Sequence, residues 1–180
     1  MLHMFSRLGS TATRRGFQTA CTLRTPYPYK LIRSSASAAA APPAAAKPVT
    51  ALQFTTGDGG IIGWIAGDAQ APIRPQNFVE NRQFWPLVEE VLAQHAHEDP
   101  ELQAQAAFQK TGWMNIADGR NPPPLGRTGN AEDILGCVLI EDKTIKPGSF
   151  QPNCAHRPVS SDGLFQLPSF LHARLLERLS

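Results

Sequence analysis

Residues 131–153 read AEDILGCVLIEDKTIKPGSFQPN, and this stretch decides the fold class. Residues 134–140 form a dense apolar run of strand length, which is typical of a strand buried on both faces or nearly so. Residues 141–144 supply a turn, and residues 145–151 return as a second strand. The stretch therefore predicts a β-hairpin that packs into the core of a small domain.

Helical patterns lie on both sides of this hairpin. Apolar residues recur at helical spacing over residues 84–92 and predict an amphipathic helix. Asp99 followed by Pro100 predicts the N-cap and first position of a second helix, which runs to about residue 110. Pro168 predicts the start of a terminal helix, because leucines follow it at spacings of four.

Shorter strands complete the predicted architecture. Residues 51–68, ALQFTTGDGGIIGWIAGD, place two apolar segments around a glycine-rich turn, which predicts another hairpin. Residues 113–118 alternate as a short strand does, and SSDG at residues 160–163 predicts a turn. The predicted fold class is therefore α+β, a small single domain with short β-hairpins and about three helices.

Charge is distributed unevenly along the 180 residues. Residues 1–57 hold seven Lys or Arg and no acid, whereas residues 58–180 hold ten Lys or Arg against fifteen Asp or Glu. The leading part therefore carries +7 and the remainder −5, although the whole chain carries only +2. This split predicts a basic targeting segment in front of an acidic folded body.

The first 20 residues, MLHMFSRLGSTATRRGFQTA, have the Arg-rich, Ser-rich and acid-poor composition of an organelle transit peptide. No apolar core typical of a secretory signal occurs before residue 57, and no run of about 18 apolar residues predicts a membrane-spanning helix. Arg15 stands two residues before Phe17, a pattern similar to matrix peptidase sites, and predicts cleavage after Phe17. A later site near Arg33 is the alternative. We therefore predict import into the mitochondrial matrix.

The predicted domain boundaries follow from composition. Residues 1–33 are assigned to a disordered mitochondrial transit peptide. Residues 34–50, SSASAAAAPPAAAKPVT, are assigned to an Ala/Pro-rich linker, because proline interrupts helices and favours extended backbone. Residues 51–180 are assigned to the α+β domain, and about 130 residues suffice for one modest core.

The segment GRNPPPLGRTGN, residues 119–130, predicts a shaped loop, because three consecutive prolines and several glycines exclude regular structure. Long loops without internal secondary structure are disproportionately functional in small domains. Arg120 and Arg127 are therefore candidate binding residues for an anion or a partner. The alternative is that the prolines only stiffen a connection across the surface.

A second group of candidate residues lies in CAHRP, residues 154–158. Cys154 and His156 stand two apart, and together with Arg157 and Arg120 they define a candidate site for a small enzyme or a metal-binding protein. No second motif at a recognised metal spacing supports a zinc site. A structural role for these side chains is the alternative.

The segment HAHEDPE, residues 95–101, is the richest local cluster of potential metal ligands. Imidazoles two residues apart point to different sides of a helix, so His95 and His97 share a metal only on extended backbone. The favoured interpretation is therefore a helix end with a histidine near the negative end of the helix dipole, followed by a cap at Asp99. No metal or cofactor is assigned from the sequence.

Much of residues 112–167 consists of three stretches, GWMNIADGRNPPPLGR, NAEDILGCVLIEDKTIKPGSFQP and AHRPVSSDGLFQLP. These stretches resemble parts of a small uncharacterised domain of fungal mitochondrial proteins. A transit peptide joined to such a domain is also similar to the mitochondrial proteins encoded at the mating-type loci of smut fungi. The resemblance implies a role in the inheritance of mitochondrial DNA and supplies no catalytic motif.

These observations favour a non-catalytic matrix protein that acts through mitochondrial protein partners, in mitochondrial DNA maintenance or inheritance. The acidic body argues against direct nucleic-acid binding, because neutralisation of phosphates by basic residues supplies most non-specific DNA affinity. Two alternatives stay open. One is a small enzyme or metal-binding protein with a site near residues 119–130 and 154–157. The other is an assembly or accessory factor of a respiratory or ribosomal complex.

Overall fold

The computed structural model describes residues 31–35, 49–54, 60–67, 70, 72–124 and 126–180. Among these residues it contains ten strands and three α-helices. The first four strands and two helices are β1 (Ile32–Ser35), β2 (Val49–Gln53), β3 (Ile61–Ala66), β4 (Phe78–Glu80), α1 (Trp85–His95) and α2 (Pro100–Gln109). The remaining elements are β5 (Gly112–Ala117), β6 (Ile134–Glu141), β7 (Thr144–Ile145), β8 (Gln151–Pro152), β9 (Val159–Ser160), β10 (Gly163–Leu164) and α3 (Ser169–Leu179).

Strands β1 to β4 form an antiparallel sheet in chain order. The hairpin predicted within residues 51–68 is confirmed as the β2–β3 pair, in which Phe54 N donates to Gly60 O at 3.2 Å. Its turn, residues 55–59, lies outside the described residues. The apolar side chains of β3 are buried because this sheet covers one side of the core.

The second sheet is built on β6, which pairs with β5 on one edge and with β7 and β8 on the other. The predicted turn of residues 141–144 is present, but the return strand is shorter than the predicted residues 145–151. Between β7 and β8 the chain turns at Gly148, where φ is +70°. Ser149 Oγ accepts from Leu139 N at 3.0 Å, so a side chain replaces part of the strand ladder.

The three predicted helices are present with nearly the predicted bounds. The cap at Asp99 is confirmed, because its Oδ1 accepts from Glu101 N at 2.8 Å and from Leu102 N at 3.1 Å. Helices α1 and α3 pack against each other, and Arg178 Nη2 of α3 lies 3.2 Å from Glu90 Oε2 of α1.

Strands β9 and β10 form a third, two-stranded antiparallel sheet, and all three sheets and all three helices contribute to one hydrophobic core. An aromatic group at its centre joins β2, α1 and the segment before α3, with Phe54, Phe84 and Phe165 ring centroids 6.0–6.4 Å apart. Edge-to-face and tilted contacts at such spacings are favourable for aromatic rings. The chain is therefore a small α+β domain, as its sequence predicts.

Most residues of the predicted transit peptide and linker, 1–30 and 36–48, lie outside the described residues. The described parts of these segments belong to the first sheet, because β1 spans the predicted 33/34 boundary and β2 begins at Val49, before the predicted domain start. Within the described part of the chain, no helix is long and apolar enough to cross a membrane.

Candidate functional site

Four ionisable side chains meet at the end of β5, and we call them the buried ion cluster: Asp118, Arg120, Asp133 and His156. Asp118 directly follows β5, and Asp133 ends the 3₁₀ turn that precedes β6. These two strands pair, with Ala117 opposite Ile134, and Asp118 N donates to Asp133 O at 2.8 Å. Strand pairing therefore brings together two carboxylates that are 15 residues apart in the sequence.

Arg120 lies between the two carboxylates. Its Nε is 2.9 Å from Asp133 Oδ1 and 3.3 Å from Asp118 Oδ2, and the guanidinium has 0% exposed surface. Its other donors are directed at backbone carbonyl oxygens, those of Glu132 at 2.8 Å, Arg157 at 2.7 Å, Gly163 at 3.1 Å and Pro158 at 3.4 Å. Because a guanidinium has five N–H donors, Arg120 is saturated by the fold itself.

His156 contacts the other end of the cluster. Its Nε2 is 3.0 Å from Asp118 Oδ2, and both side chains have 0% exposed surface. Since an ionised carboxylate only accepts hydrogen bonds, Nε2 carries the hydrogen in this contact. The imidazole stacks on the indole of Trp85, with ring centroids 4.7 Å apart and planes 8° apart. Its Nδ1 has no hydrogen-bond partner among the described residues.

The cluster also holds the proline loop, which we define as residues 119–130. Asn121 near its start and Asn130 at its end both direct their side-chain amides at Asp133 Oδ2, at 3.2 Å and 3.4 Å. Asp118 Oδ1 in turn accepts from Arg120 N at 3.1 Å and from Gln166 N at 2.8 Å. Both ends of the loop are therefore fixed to the same buried carboxylates.

A groove lies between the proline loop, β5 and α2, and we call it the β5 groove. Its volume is about 390 Å³. Two exposed aromatic side chains line it, Phe108 of α2 with 70% of its surface exposed and Trp113 of β5 with 50%. Pro123 and Arg127 of the loop line the opposite wall. Large exposed aromatic residues beside a groove are typical of interaction surfaces.

The electrostatic environment of the β5 groove differs from that of the body. Among the residues that line the groove, Arg127 is the one with an ionisable side chain. It is exposed and forms no ion pair with any described residue. Arg127 therefore gives the lining of the groove a charge of +1, whereas residues 58–180 together carry −5.

Comparison with known proteins adds no relative to this description. No family model, curated protein or solved structure matches the chain. The proposed function therefore rests on the geometry of the site.

The structure places the four sequence-predicted binding residues at two locations. Arg120 and His156 meet through Asp118 inside the buried ion cluster. Arg157 is exposed and contributes its carbonyl oxygen to Arg120. Arg127 lies apart from them on the β5 groove.

The other residues that the sequence offers as metal ligands or nucleophiles do not belong to the buried ion cluster. Cys154 is exposed, and Cys137 is half-buried with the pKa of its thiol raised by burial. His95 Nδ1 lies 2.8 Å from Glu98 Oε2, and this hydrogen bond lowers the pKa of the Glu98 carboxyl. Among the described residues, no group of three His, Cys, Asp or Glu side chains is arranged to hold a metal ion.

Sequence reasoning missed Asp118 and Asp133, the carboxylates that organise the site. Asp118 directly precedes the proline loop, and Asp133 lies three residues after its end. Two acids on either side of a loop that contains Arg120 could have indicated an ion pair. It also missed Phe108, which belongs to α2 but not to the face buried through Leu102 and Ala106. An aromatic residue outside the apolar face of a helix signals a surface contact.

Proposed function

We propose that this chain is a non-catalytic mitochondrial matrix protein that acts through protein partners, which it binds at the β5 groove. The observation that carries the proposal is the convergence of two exposed aromatic side chains, Phe108 and Trp113, on one groove. Aromatic residues that are rigid and already positioned at the surface are frequent anchors of protein interfaces. The resemblance of residues 112–167 supports mitochondrial DNA maintenance or inheritance as the process.

The saturation of Arg120 supports a binding role rather than a catalytic one. A catalytic or anion-binding arginine needs free donors, whereas every donor group of Arg120 faces a carboxylate or carbonyl of its own chain. The His156–Asp118 pair favours the alternative of a small enzyme. However, neither side chain has any exposed surface, so a substrate has no contact with them in this conformation. The cluster therefore supports the loop that forms the groove.

The charge of the body supports an indirect effect on DNA. Residues 58–180 carry −5, and a net-negative domain is poorly suited to neutralise phosphates. Cleavage after Phe17 leaves Arg24, Lys30, Arg33 and Lys47 ahead of this body, so the processed chain carries −1. Strong, salt-sensitive binding of double-stranded DNA that persists after these four residues are neutralised would contradict this part of the proposal.

The position of β1 bears on processing. Arg33 lies within β1, so cleavage near Arg33 would remove part of the first strand. Cleavage after Phe17 leaves Ile32–Ser35 intact, and the proposal therefore places processing there.

The experiment is affinity purification of the tagged full-length chain from isolated mitochondria, with mass spectrometry of its N-terminus and of the copurified proteins. We expect an N-terminus at Gln18 and a partner set that a Phe108→Ser, Trp113→Ser double variant loses. Val79→Ser is the matched control, because Val79 is 46% exposed on β4, away from the groove. An unprocessed chain outside mitochondria, or an unchanged partner set, would overturn the proposal.

The identity of the copurified proteins separates the remaining alternatives. Nucleoid proteins support the role in mitochondrial DNA. Respiratory or ribosomal subunits, with comigration in a large complex, would instead identify an assembly or accessory factor.

A further inference from the structure

We propose that the β5 groove binds an extended acidic segment of the partner protein, which adds a strand to the outer edge of β5. This inference rests on the proposed function and specifies how the partner is recognised. Three observations carry it: the direction of the β5 peptide groups, the side chains that flank the edge, and the charge around the groove.

The outer edge of β5 presents unpaired peptide groups. Leu139 of β6 stands opposite Trp113, but its N–H donates to Ser149 Oγ and its carbonyl accepts from Lys146 N at 2.9 Å. Both groups of Leu139 therefore point away from β5. In an antiparallel pair this makes Trp113 and Leu139 a non-hydrogen-bonded pair, so the peptide groups of Trp113 and Asn115 face outward.

One side chain already occupies part of this edge. Gln109 Nε2 donates to Trp113 O at 2.8 Å, at the place where the N–H of an added strand would lie. The Trp113 N–H and both peptide groups of Asn115 have no partner among the described residues. An edge strand with such groups is a template for strand addition.

The groove gives this edge both space and side-chain specificity. Trp113 and Asn115 are exposed on β5, Phe108 lies on one side, and Pro123 lies on the other. An added strand directs alternate side chains to opposite faces. One set of its side chains therefore meets the aromatic residues, while the other set points to the loop and solvent.

The positive charge of the β5 groove favours an acidic partner segment. Among the residues that line the groove, Arg127 is the one with a charged side chain, and it forms no ion pair with any described residue. Complementary potentials favour an acidic segment and disfavour a basic one. The occupant is therefore an extended peptide in which carboxylates accompany apolar side chains, rather than nucleic acid or a basic segment.

The test begins with a phage-displayed library of random octapeptides selected on the immobilised full-length chain. We expect the selected peptides to be enriched in Asp and Glu alternating with apolar residues. Synthetic, end-capped versions of these peptides are then titrated against the chain, with calorimetry and the total intrinsic tryptophan fluorescence as readouts. A library that yields no binder, or binders without acidic enrichment, overturns the inference.

Matched variants test the two parts of the mechanism. Arg127→Glu should weaken peptide binding by about tenfold, because an attraction becomes a repulsion, whereas Arg74→Glu should leave it nearly unchanged. Arg74 is the control because it is exposed and does not line the groove. Equal effects of the two substitutions contradict the role of Arg127.

N-methylation of the peptide tests strand addition directly. Alternate amides of a bound strand face β5, so methylation of one alternate set should abolish binding while methylation of the other set is tolerated. Loss with both sets, or with neither, overturns strand addition. A dimer of this chain that forms through β5 and competes with the peptide also overturns the inference, because the occupant would then be a second copy.

Failure of this inference is distinguishable from failure of the proposed function. If the Phe108→Ser, Trp113→Ser variant loses its mitochondrial partners but no acidic peptide binds, partner binding at the groove stands and strand addition fails. If the variant keeps all partners, the proposed function itself fails.

Discussion

Arg120 Nε lies 2.9 Å from Asp133 Oδ1, and this contact joins the start of the proline loop to the 3₁₀ turn that follows its end. The carboxylate and the guanidinium are both buried, with at most 1% of either side chain exposed. Removal of one partner from a buried ion pair leaves an uncompensated charge, which is far more destabilising than loss of a surface pair. The stability of the domain and the shape of the groove therefore depend on the same contact.

Arg120→Met should destabilise the domain strongly. The methionine fills part of the space but leaves Asp118 and Asp133 without their shared cation, and four carbonyl oxygens lose a donor. We expect the free energy of unfolding to fall by about 3–5 kcal/mol, measured by urea denaturation. Arg120→Lys should rescue little, because one ammonium cannot reproduce the planar set of donors.

The control for this prediction is Arg127→Met. Arg127 is exposed and forms no ion pair with a described residue, so we expect a change within about 0.5 kcal/mol. Similar losses for Arg120→Met and Arg127→Met would show that the buried ion cluster does not support the fold.

Local sequence patterns predict the helices, the hairpins and single members of the site such as Arg120 and His156, but not the contacts that assemble it. The second helix was expected to run from Pro100 to about residue 110, and α2 ends at Gln109, because a cap and a stop signal are local features. The contact of Asp118 with Asp133 depends instead on the register of β5 against β6. No local pattern specifies which strands pair, so the cluster and the groove required the structure.

Burial lowers the pKa of His172 to about 4, because its imidazole packs in the core edge-on to the Phe54 ring at 4.9 Å. In the unfolded chain the pKa returns to about 6.5, so between these values the unfolded state binds the proton first. The free energy of unfolding should therefore fall as pH drops from about 6.5 towards 4, by at most about 1.4 kcal/mol per pH unit from this one group.

Urea denaturation of the wild-type chain and of His172→Phe at pH 7, 6 and 5 measures this contribution. Other titrating groups are shared by the two proteins, so the difference between the two pH profiles reports His172. We expect a flatter profile for the variant. Parallel profiles would show that His172 titrates alike in the folded and unfolded chains.

Gly136 of β6 should not tolerate a side chain. A Cβ atom at this position would lie 2.5 Å from both Gln151 O and the edge of the Phe150 ring. Since a backbone oxygen of the paired strand cannot move freely, Gly136→Ala should lower the free energy of unfolding by about 1–3 kcal/mol.

Gly129→Ala provides the matched comparison for Gly136→Ala. The nearest atom to a Cβ there is Pro123 Cγ at 3.6 Å, an ordinary contact distance, and we expect a change within about 0.5 kcal/mol. The double variant Gly136→Ala, Phe150→Ala should recover little, because the Gln151 carbonyl remains in the way. Full recovery would assign the clash to the ring alone.

Asn121→Ala should loosen the proline loop without unfolding the domain. Asn121 Nδ2 lies 3.2 Å from Asp133 Oδ2, and loss of this one hydrogen bond should lower the free energy of unfolding by only about 1 kcal/mol. The effect of the substitution on the loop itself should be larger. The side-chain hydrogen bond that remains between the loop and Asp133 Oδ2 comes from Asn130, at the far end of the loop, and is long at 3.4 Å. Amide hydrogen exchange over residues 119–130 should therefore accelerate, while exchange in β6 stays slow.

The comparison for this tether is Asn77→Ala, which removes two side-chain hydrogen bonds in a different loop: Asn77 Nδ2 donates to Pro72 O at 2.8 Å, and Asn77 Oδ1 accepts from Arg74 N at 2.9 Å. It should accelerate exchange over residues 72–77 and leave the proline loop unchanged. If the β5 groove depends on the tether, Asn121→Ala also weakens partner capture and Asn77→Ala does not. Equal exchange over residues 119–130 in Asn121→Ala and the wild-type chain would mean that the Arg120 and Asn130 contacts and the prolines hold the loop without this tether.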